Sequence, residues 1–394
     1  MDCGCLDREE GQLLKVTNLS MWQLVADFCE LWCGFIMSSA VRTVLLAPQH
    51  WGLGHVTRSI PVIRYFVAKG WRVLLASSGA GAALLKREFP DLPVFELPDY
   101  GILYPSRNMY WNMAIQLWQM HKAIWLEKRA IAKICSAHQV DLVVSDARLG
   151  AAQRGVKSVI ITHHLHFPLP LKLFEWFADN WMRFFYMQFD EIWVPDYGSE
   201  KNLSGDLSHL FKSRKHYFIG ALSRFRKMPV TPRYDLCFML SGPEPQRTLL
   251  EQKILQQIGE LGPCRAILIR GTEHGDPLPA MPLLEVVPLA TSEVLNEIMC
   301  ASELIVCRSG YSTLLDLSVI GGRALLIPTP GQPEQEYLAR ELQRKQLFFT
   351  VSQDALDLQK HIPLAQQLPG YSQFEDEQTL SQILDARIGI IFQD

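Results

Sequence analysis

The sequence predicts an α/β protein built as two open parallel sheets that face each other across a cleft. Three observations lead there. Short apolar runs of buried-strand length alternate with helical patterns along most of the chain. That alternation starts twice, near Val44 and again near Leu236, with the basic, proline-containing stretch GALSRFRKMPVTPR between the two starts. Small-residue turns follow the first strand of each half, where a parallel sheet opens to a ligand.

Composition narrows the class. At 394 residues, 48% apolar and 20% charged, the chain has room for two ordinary domains with a substantial core. A net charge of −3 with dispersed Lys and Arg offers no footing for nucleic acid. The nine cysteines are scattered. The close pairs Cys3/Cys5 and Cys29/Cys33 lack a matching second pair for zinc, and Cys237, Cys300 and Cys307 fall in apolar patterns as buried thiols. This usage fits a reducing cytosol. Residues 1–40 precede the first strand as an extension outside the expected fold. Their apolar stretch Leu19–Met37 carries Asp27 and Glu30, too charged to span a bilayer, and no basic segment marks a signal peptide. Three readings stay open: an amphipathic helix, a membrane-surface element, or an upstream extension of a chain that naturally begins at Met37.

In chain order, Arg42–Pro48 is the first strand and runs into Gln49-His50-Trp51-Gly52-Leu53-Gly54-His55-Val56-Thr57-Arg58. The following helix is expected to carry Pro61 in its first turn, where a missing N–H costs nothing, and to end at Gly70. Strands follow at Trp71–Ser77 and Pro93–Pro98, then a Tyr- and Gly-rich loop over 99–108. Tyr110–Ala137 is a long helix whose Trp111, Trp118 and Trp125, seven apart, predict a core seam. Val140–Ser145 is a buried strand ending in Asp146, and Ser158–Thr162 another ending in His163-His164-Leu165-His166. Strand ends on this side face the cleft, so Asp146, His163 and His164 are candidates for acceptor contact or proton handling. A metal at the three histidines is disfavoured, because alternate residues of an extended chain point to opposite faces.

Leu171–Phe189 is a helix carrying Phe174, Phe177, Trp181, Phe184 and Phe185. The stripe predicts a core face; the alternative is a lipid-facing patch, with Lys172 and Arg183 meeting anionic headgroups. Glu191–Pro195 adds a strand. The first domain is set at 41–220, a linker at 221–233 and the second domain at 234–370. Strands in that second domain fall at Asp235–Leu240, Ala266–Arg270 and Leu284–Pro288, and an acidic helix over 371–394 crosses back to the first domain. After Asp235–Leu240, Ser241-Gly242 allows close backbone approach, and Arg247 is placed to meet a phosphate.

The most informative stretch is ELIVCRSGYSTLLDLSVIGGRALLIPTPGQPEQEYLAR, residues 303–340. It holds a strand at Leu304–Cys307, the turn Arg308-Ser309-Gly310, a helix over Ser312–Ile320 stopped by Gly321-Gly322, a strand at Ala324–Ile327, and a helix opened by Pro333. Gly310 lets backbone approach a ligand, while Ser312 and Thr313 sit where free amides and the helix dipole attract phosphate. Asp316, one turn further on, could accept from sugar hydroxyls, and Gln335 and Glu336 would face the same crevice.

The pattern R-S-G-x-x-T-x-x-D followed by I-P-T-P-G-Q-P-E-Q-E-Y resembles the donor-sugar motif of GT-B glycosyltransferases, in particular the MurG type of family 28, which moves N-acetylglucosamine from UDP onto a lipid-linked peptidoglycan precursor. That family usually has Glu at Asp316 and a Gln pair at Gln335-Glu336, so the ribose and sugar contacts depart from its pattern. The early G-x-G-H-x-x-R likewise resembles the first loop of these enzymes. There the glycines, here Gly52 and Gly54, face donor phosphates and acceptor, and a histidine, here His55, lies near the reaction centre. The resemblance implies two Rossmann-like domains facing a cleft, the GT-B fold. It places donor contacts at Gly54, Ser241, Arg247, Arg308, Ser309, Gly310, Tyr311, Ser312, Thr313, Asp316, Gln335 and Glu336.

The expected activity is transfer of a hexose, N-acetylglucosamine by resemblance, from a nucleotide diphosphate sugar, UDP-linked by resemblance, to a hydroxyl. Inversion is expected, with His55 as base, neither metal nor cofactor, and the nucleotide sugar as co-substrate. The acceptor suggested is lipid-linked or a cell-envelope glycan, met by a cytoplasmic protein at the inner face of the membrane. Two rivals stand beside this. A nucleotide-sugar 2-epimerase would use Asp146, His163 and His164 as further acid/base groups. A non-catalytic nucleotide-sugar or lipid binder would use none.

Overall fold

In the computed structural model, residues 41–50, 53–100, 109–168, 171–272, 278, 281–371 and 379–393 are described, with backbone only over 109–118. The extension 1–40, Gly52, most of the 99–108 loop and the side chains of Trp111 and Trp118 lie outside the described residues.

The first sheet comprises β1 (Thr43–Pro48), β2 (Arg72–Ser77), β3 (Val94–Glu96), β4 (Leu142–Asp146), β5 (Lys157–Ile161), β6 (Glu191–Val194) and β7 (His216–Phe218). Their order is β3-β2-β1-β4-β5-β6-β7, with every pairing parallel. The helices of this half are α1 (Gly54–Ala68), α2 (Gly79–Glu88), α3 (Met109–His138), α4 (Lys172–Tyr186) and the single turn α5 (Asp206–His209). The second sheet comprises β8 (Tyr234–Met239), β9 (Ala266–Ile269), β10 (Leu284–Val287), β11 (Ser302–Cys307), β12 (Ala324–Leu326) and β13 (Phe349–Thr350). It runs β10-β9-β8-β11-β12-β13, again all parallel. Around it lie α6 (Gln246–Ile258), α7 (Ser292–Cys300), α8 (Tyr311–Ile320), α9 (Pro333–Arg344) and α10 (Leu358–Gln366).

The strands are apolar without alternation because both faces of each sheet are covered. Leu45, Val143 and Ile160 feed one apolar cluster, Val44, Leu142 and Val159 the other. The helix boundaries follow local chemistry. Pro333 stands at the start of α9, and α8 ends on Gly321 at φ 74°, the left-handed conformation that glycine adopts without strain. The last helix, α11 (Leu380–Ile391), starts on a capping box, Thr379 with Gln382. It packs against the first sheet, burying Leu384, Ile388 and Ile391 with Val44, Phe66 and Trp193. Lys69 Nζ and Tyr65 Oη reach Asp385 at 2.7 and 2.8 Å, and Arg387 pairs with Glu191. The last helix thus packs on the first sheet.

Three expectations need correction. Pro61 lies in the interior of α1, because that helix starts at Gly54, directly on the glycine turn. Trp125 is 51% exposed, its ring covered by the Arg129 guanidinium at 3.8 Å, so it forms no core seam; α3 buries Ile124, Ile131 and Cys135 instead. The α4 stripe faces outward. Phe174, Phe177 and Phe184 are exposed, and only Phe185 and Tyr186 of the helix are buried. A core face needs a partner: Trp181 and Phe185 pack on His121 of α3, and Phe185 and Tyr186 join the core with Leu149 and Ala151, but among the described residues nothing covers Phe174, Phe177 and Phe184.

Replacing Leu384 by Ala should destabilise the protein by about 2–5 kcal/mol, since it removes a fully buried leucine from the first sheet's core. A urea midpoint unchanged from wild type would show that α11 does not dock there.

Candidate active site

Both sheets reverse their strand order beside their first strand, and a parallel sheet opens its crevice at that point. In the first sheet β1 and β4 are neighbours, registered with Pro48 opposite Asp146. The turn leaving β1 therefore passes the carboxylate at the end of β4, and Gln49 N donates to Asp146 O at 2.9 Å. In the second sheet Met239 is registered with Cys307, which sets Ser241-Gly242 beside Arg308-Ser309-Gly310. The two openings meet: a Cβ on Gly54, first residue of α1, would lie 2.6 Å from Ser312 Oγ in the first turn of α8. Glycine at 54 is what allows that approach.

On the first sheet's side, His55 Nδ1 lies 2.7 Å from Asp146 Oδ1. Arg58, only 3% exposed, donates through Nε to Asp146 Oδ2 at 2.6 Å and through Nη2 to Oδ1. Burial alone would raise the Asp146 pKa, but the charges and hydrogen bonds of Arg58 and His55 hold it down to about 2. The ionised carboxylate only accepts, which favours the proton of His55 on Nδ1 with the lone pair on Nε2, and Arg58 Nη2 lies 2.8 Å from the same Nδ1 as a competing donor. Arg58 Nη1 also lies 3.2 Å from His163 Nδ1, and His163 Nε2 3.2 Å from Glu334 Oε1. His164 Nδ1 is 3.7 Å from Glu334 Oε2, while His166 Nδ1 pairs with Asp179 at 2.7 Å. Burial pushes both His163 and His164 down, the latter to about 4, against the pull of Glu334.

On the second sheet's side the expected donor residues divide. Gly310 and Ser312 stand at the mouth of the cleft, with Gln335 Nε2 4.0 Å from a Cβ placed at Gly310. Thr313 is half-buried in the first turn of α8, and Ser241 is exposed beside Gly242. Ser309 Oγ donates to Gln335 O at 2.8 Å. Arg308 is buried, with Nη1 and Nη2 on the carbonyls of Ile327, Pro328 and Gln246 and on Gln353 Oε1; burial lowers its pKa to about 10, so it stays cationic at neutral pH. Asp316 is half-buried and accepts from Ser223 Oγ at 2.5 Å; burial lifts it to about 7 against that hydroxyl and Arg224.

Other expected residues sit differently. The Arg247 guanidinium is held by two carboxylates, Glu244 at 2.6 Å and Glu251 at 2.9 Å, rather than turned to the crevice. Tyr311 spans the two halves, its ring 3.6 Å from that of His163 at 4° and its hydroxyl donating to Pro195 O at 2.7 Å. Gln335 Oε1 accepts from Thr329 N, fixing its own loop, and Glu336 folds back to accept from Gly331 N on the outer side of α9, near Arg340 and Ser352. Two residues went unforeseen in their roles. Arg58 closes the G-x-G-H-x-x-R pattern, so its spacing was visible but not its partner. Glu334 carried no signal beyond adjacency to Gln335.

Residues 242–379 match the model of the glycosyltransferase family 28 C-terminal domain. The match lies within the second half of the chain, and the two parallel sheets facing a cleft give the chain the GT-B fold. A 71-residue stretch, 18% of this chain, is 32% identical to the UDP-N-acetylglucosamine–N-acetylmuramyl-(pentapeptide) pyrophosphoryl-undecaprenol N-acetylglucosamine transferase of Caldanaerobacter subterraneus subsp. tengcongensis; the match spans 20% of that relative's length. In fold the chain is similar to the spinosyn forosaminyltransferase (TM-score 0.62, 14% identity, 89% of this chain and 100% of that one). It is also similar to MurG of Acinetobacter baumannii (TM-score 0.54, 14% identity, 84% and 93%). The family 28 match includes both Arg308-Ser309-Gly310 and Gln335, the residues whose motif resembled it.

The buried carboxylate at the heart of this GT-B cleft sets an acid dependence. Its folded pKa of about 2 lies below the ordinary Asp value of about 3.9, so its stabilisation is complete above about pH 4 and is lost as pH falls through 2. The difference corresponds to about 2–3 kcal/mol. Urea midpoints between pH 4 and 2 should fall in wild type, and fall less in Asp146→Asn, which starts from a lower midpoint.

Proposed function

We propose that the protein transfers a hexose from a nucleotide diphosphate sugar to an acceptor hydroxyl, with inversion and without a metal. The observation that carries this reading is the His55–Asp146 pair at the mouth of the first sheet, facing the start of α8 across the Gly54–Ser312 contact. His55 Nε2 takes the acceptor's proton as its oxygen attacks the anomeric carbon, and Asp146 stabilises the imidazolium that results. The negative charge released onto the leaving diphosphate falls near the amides of α8. Arg308 supplies the complementary cation. Its hydrogen-bond partners are neutral, unlike those of Arg247, and among the described residues its Nε has no partner while lying 4.0 Å from a Cβ placed at Gly242.

The 2-epimerase reading is less well supported, because Asp146 and His163 are already engaged by Arg58 and are not free as additional acid/base groups. The donor base and sugar are proposed as UDP and N-acetylglucosamine on the motif resemblance. The acceptor is proposed as lipid-linked, met at the inner face of the membrane by a cytoplasmic enzyme. The outward face of α4 favours this: Leu173, Phe174, Trp176, Phe177 and Phe184 are 51–67% exposed, with Lys172 and Arg183 exposed among them. Asp179 turns toward His166 at 2.7 Å and Glu175 pairs with Lys172 at 2.8 Å, leaving Arg183 as the cation beside the exposed apolar face. Among the described residues no helix is long and apolar enough to cross a membrane.

Three measurements check the reading. In a thermal-shift panel of UDP, GDP, dTDP and ADP with their sugars, one nucleotide should raise Tm in wild type and in His55→Ala, but less in Asp316→Ala. His55→Ala should lower turnover about 10²–10⁴-fold at unchanged donor affinity; a silent mutation would point to a non-catalytic binder. Co-sedimentation with phosphatidylglycerol vesicles should be lost in Trp176→Ser/Phe177→Ser/Phe184→Ser, and equal sedimentation of that variant would remove the membrane contact from the reading.

A further inference from the structure

The cleft contains more buried hydrogen-bonding groups than a His–Asp pair needs, and they form one connected network. Its links at His163 have one possible direction, while His55 Nδ1 faces both Asp146 Oδ1 at 2.7 Å and Arg58 Nη2 at 2.8 Å. A guanidinium donates and never accepts, so His163 Nδ1 must accept from Arg58 Nη1 at 3.2 Å. The proton of neutral His163 is therefore on Nε2, and it donates to Glu334 Oε1 at 3.2 Å. Burial pushes the His163 pKa down, in keeping with the neutral ring. At the other end Arg58 Nε and Nη2 both donate to Asp146, which accepts from His55 Nδ1. The order is Glu334, His163, Arg58, Asp146, His55.

The first member comes from the opposite half of the molecule to the other four. Glu334 lies in the first turn of α9, while His55 and Arg58 are on α1, Asp146 ends β4 and His163 follows β5. Tyr311, at the start of α8, also crosses over, stacks on the His163 ring and anchors its hydroxyl on Pro195 O. The second half thus fixes both the plane and the tautomer of His163. We infer that His163 and Glu334 are positioning residues that act through Arg58 and Asp146 to set the protonated nitrogen of His55, so that the base is ready only when the donor-side half is docked.

The lever is the rigidity of the guanidinium. Its five N–H groups lie in one plane, so once Nη1 loses its partner, Nη2, which lies 2.8 Å from His55 Nδ1, can donate to that nitrogen in competition with Asp146. The carboxylate then loses the geometry that selects Nδ1–H over Nε2–H on His55. This inference rests on His55 being the base, and the test keeps the two apart.

Protein labelled with 15N-histidine would be examined by NMR in wild type, His163→Phe, Glu334→Gln and Glu334→Ala, with kcat and donor Kd measured on the same samples. His163→Phe keeps the ring stacked on Tyr311 and removes both hydrogen bonds; Glu334→Gln keeps an acceptor; half-buried Glu334→Ala removes it with little risk to folding. Wild type should show His55 as a single Nδ1–H tautomer. His163→Phe and Glu334→Ala should show mixed tautomers and a kcat lower by about 10–100-fold at unchanged donor Kd, with Glu334→Gln recovering most of both. His55 shifts that stay at wild-type values in Glu334→Ala, or a loss confined to donor Kd, would overturn the inference. If the tautomer shifts while His55→Ala leaves turnover intact, the relay stands and the assignment of the base fails.

Discussion

The Arg58–Asp146 ion pair is the constraint on which the rest of the cleft depends. Two charges are taken out of water at the end of a buried strand, which is favourable only where every donor and acceptor finds a partner. Asp146 meets this with Arg58 and His55, and with Gln49 N on its main-chain carbonyl; Arg58 meets it with Asp146 and His163. Having to satisfy those groups fixes where α1 starts, which nitrogen of His55 is protonated, and where the end of β5 must lie. A neutral residue at 146 would relieve the desolvation cost and lose all three.

The second consequence is that the halves of the molecule are not independent scaffolds. Tyr311 and Glu334 reach into the first half, and Tyr197, Leu203 and Leu207 pack in the apolar cluster of the second sheet. Gly54 and Ser312 approach as closely as glycine permits. The returning α11 adds a further tie through Leu384, Ile388 and the Arg387–Glu191 pair. The cleft is assembled from both halves, and neither half alone holds the full set of groups.

The departures from expectation share one cause. Trp125 and the α4 aromatics have the spacing of a buried stripe, but spacing along a helix says only that one face is apolar, not that something packs on it. Arg247 has the charge and position for a phosphate, yet Glu251, one turn later on the same helix, and Glu244 hold it. Glu336 stands where the resembled motif has a sugar contact, and the helix turns it outward to cap Gly331. In each case the deciding partner is specified by packing rather than by the motif.

The strands, their parallel order around two starts, the glycine turns, and the helix limits at Pro333 and Gly321 were legible in the sequence, because they follow from local propensity and apolar run length. The places of Arg308–Asp316 at a strand-to-helix turn and of His55 after its glycines were legible too, since a turn leaving a buried parallel strand takes small residues at that spacing. Tertiary structure alone decided that Arg58 belongs to Asp146, that His163 lies between Arg58 and Glu334, and that the α4 aromatics face outward. Those facts depend on contacts between residues 88 to 171 positions apart and on the absence, among the described residues, of a packing partner, and neither leaves a periodic trace in the chain.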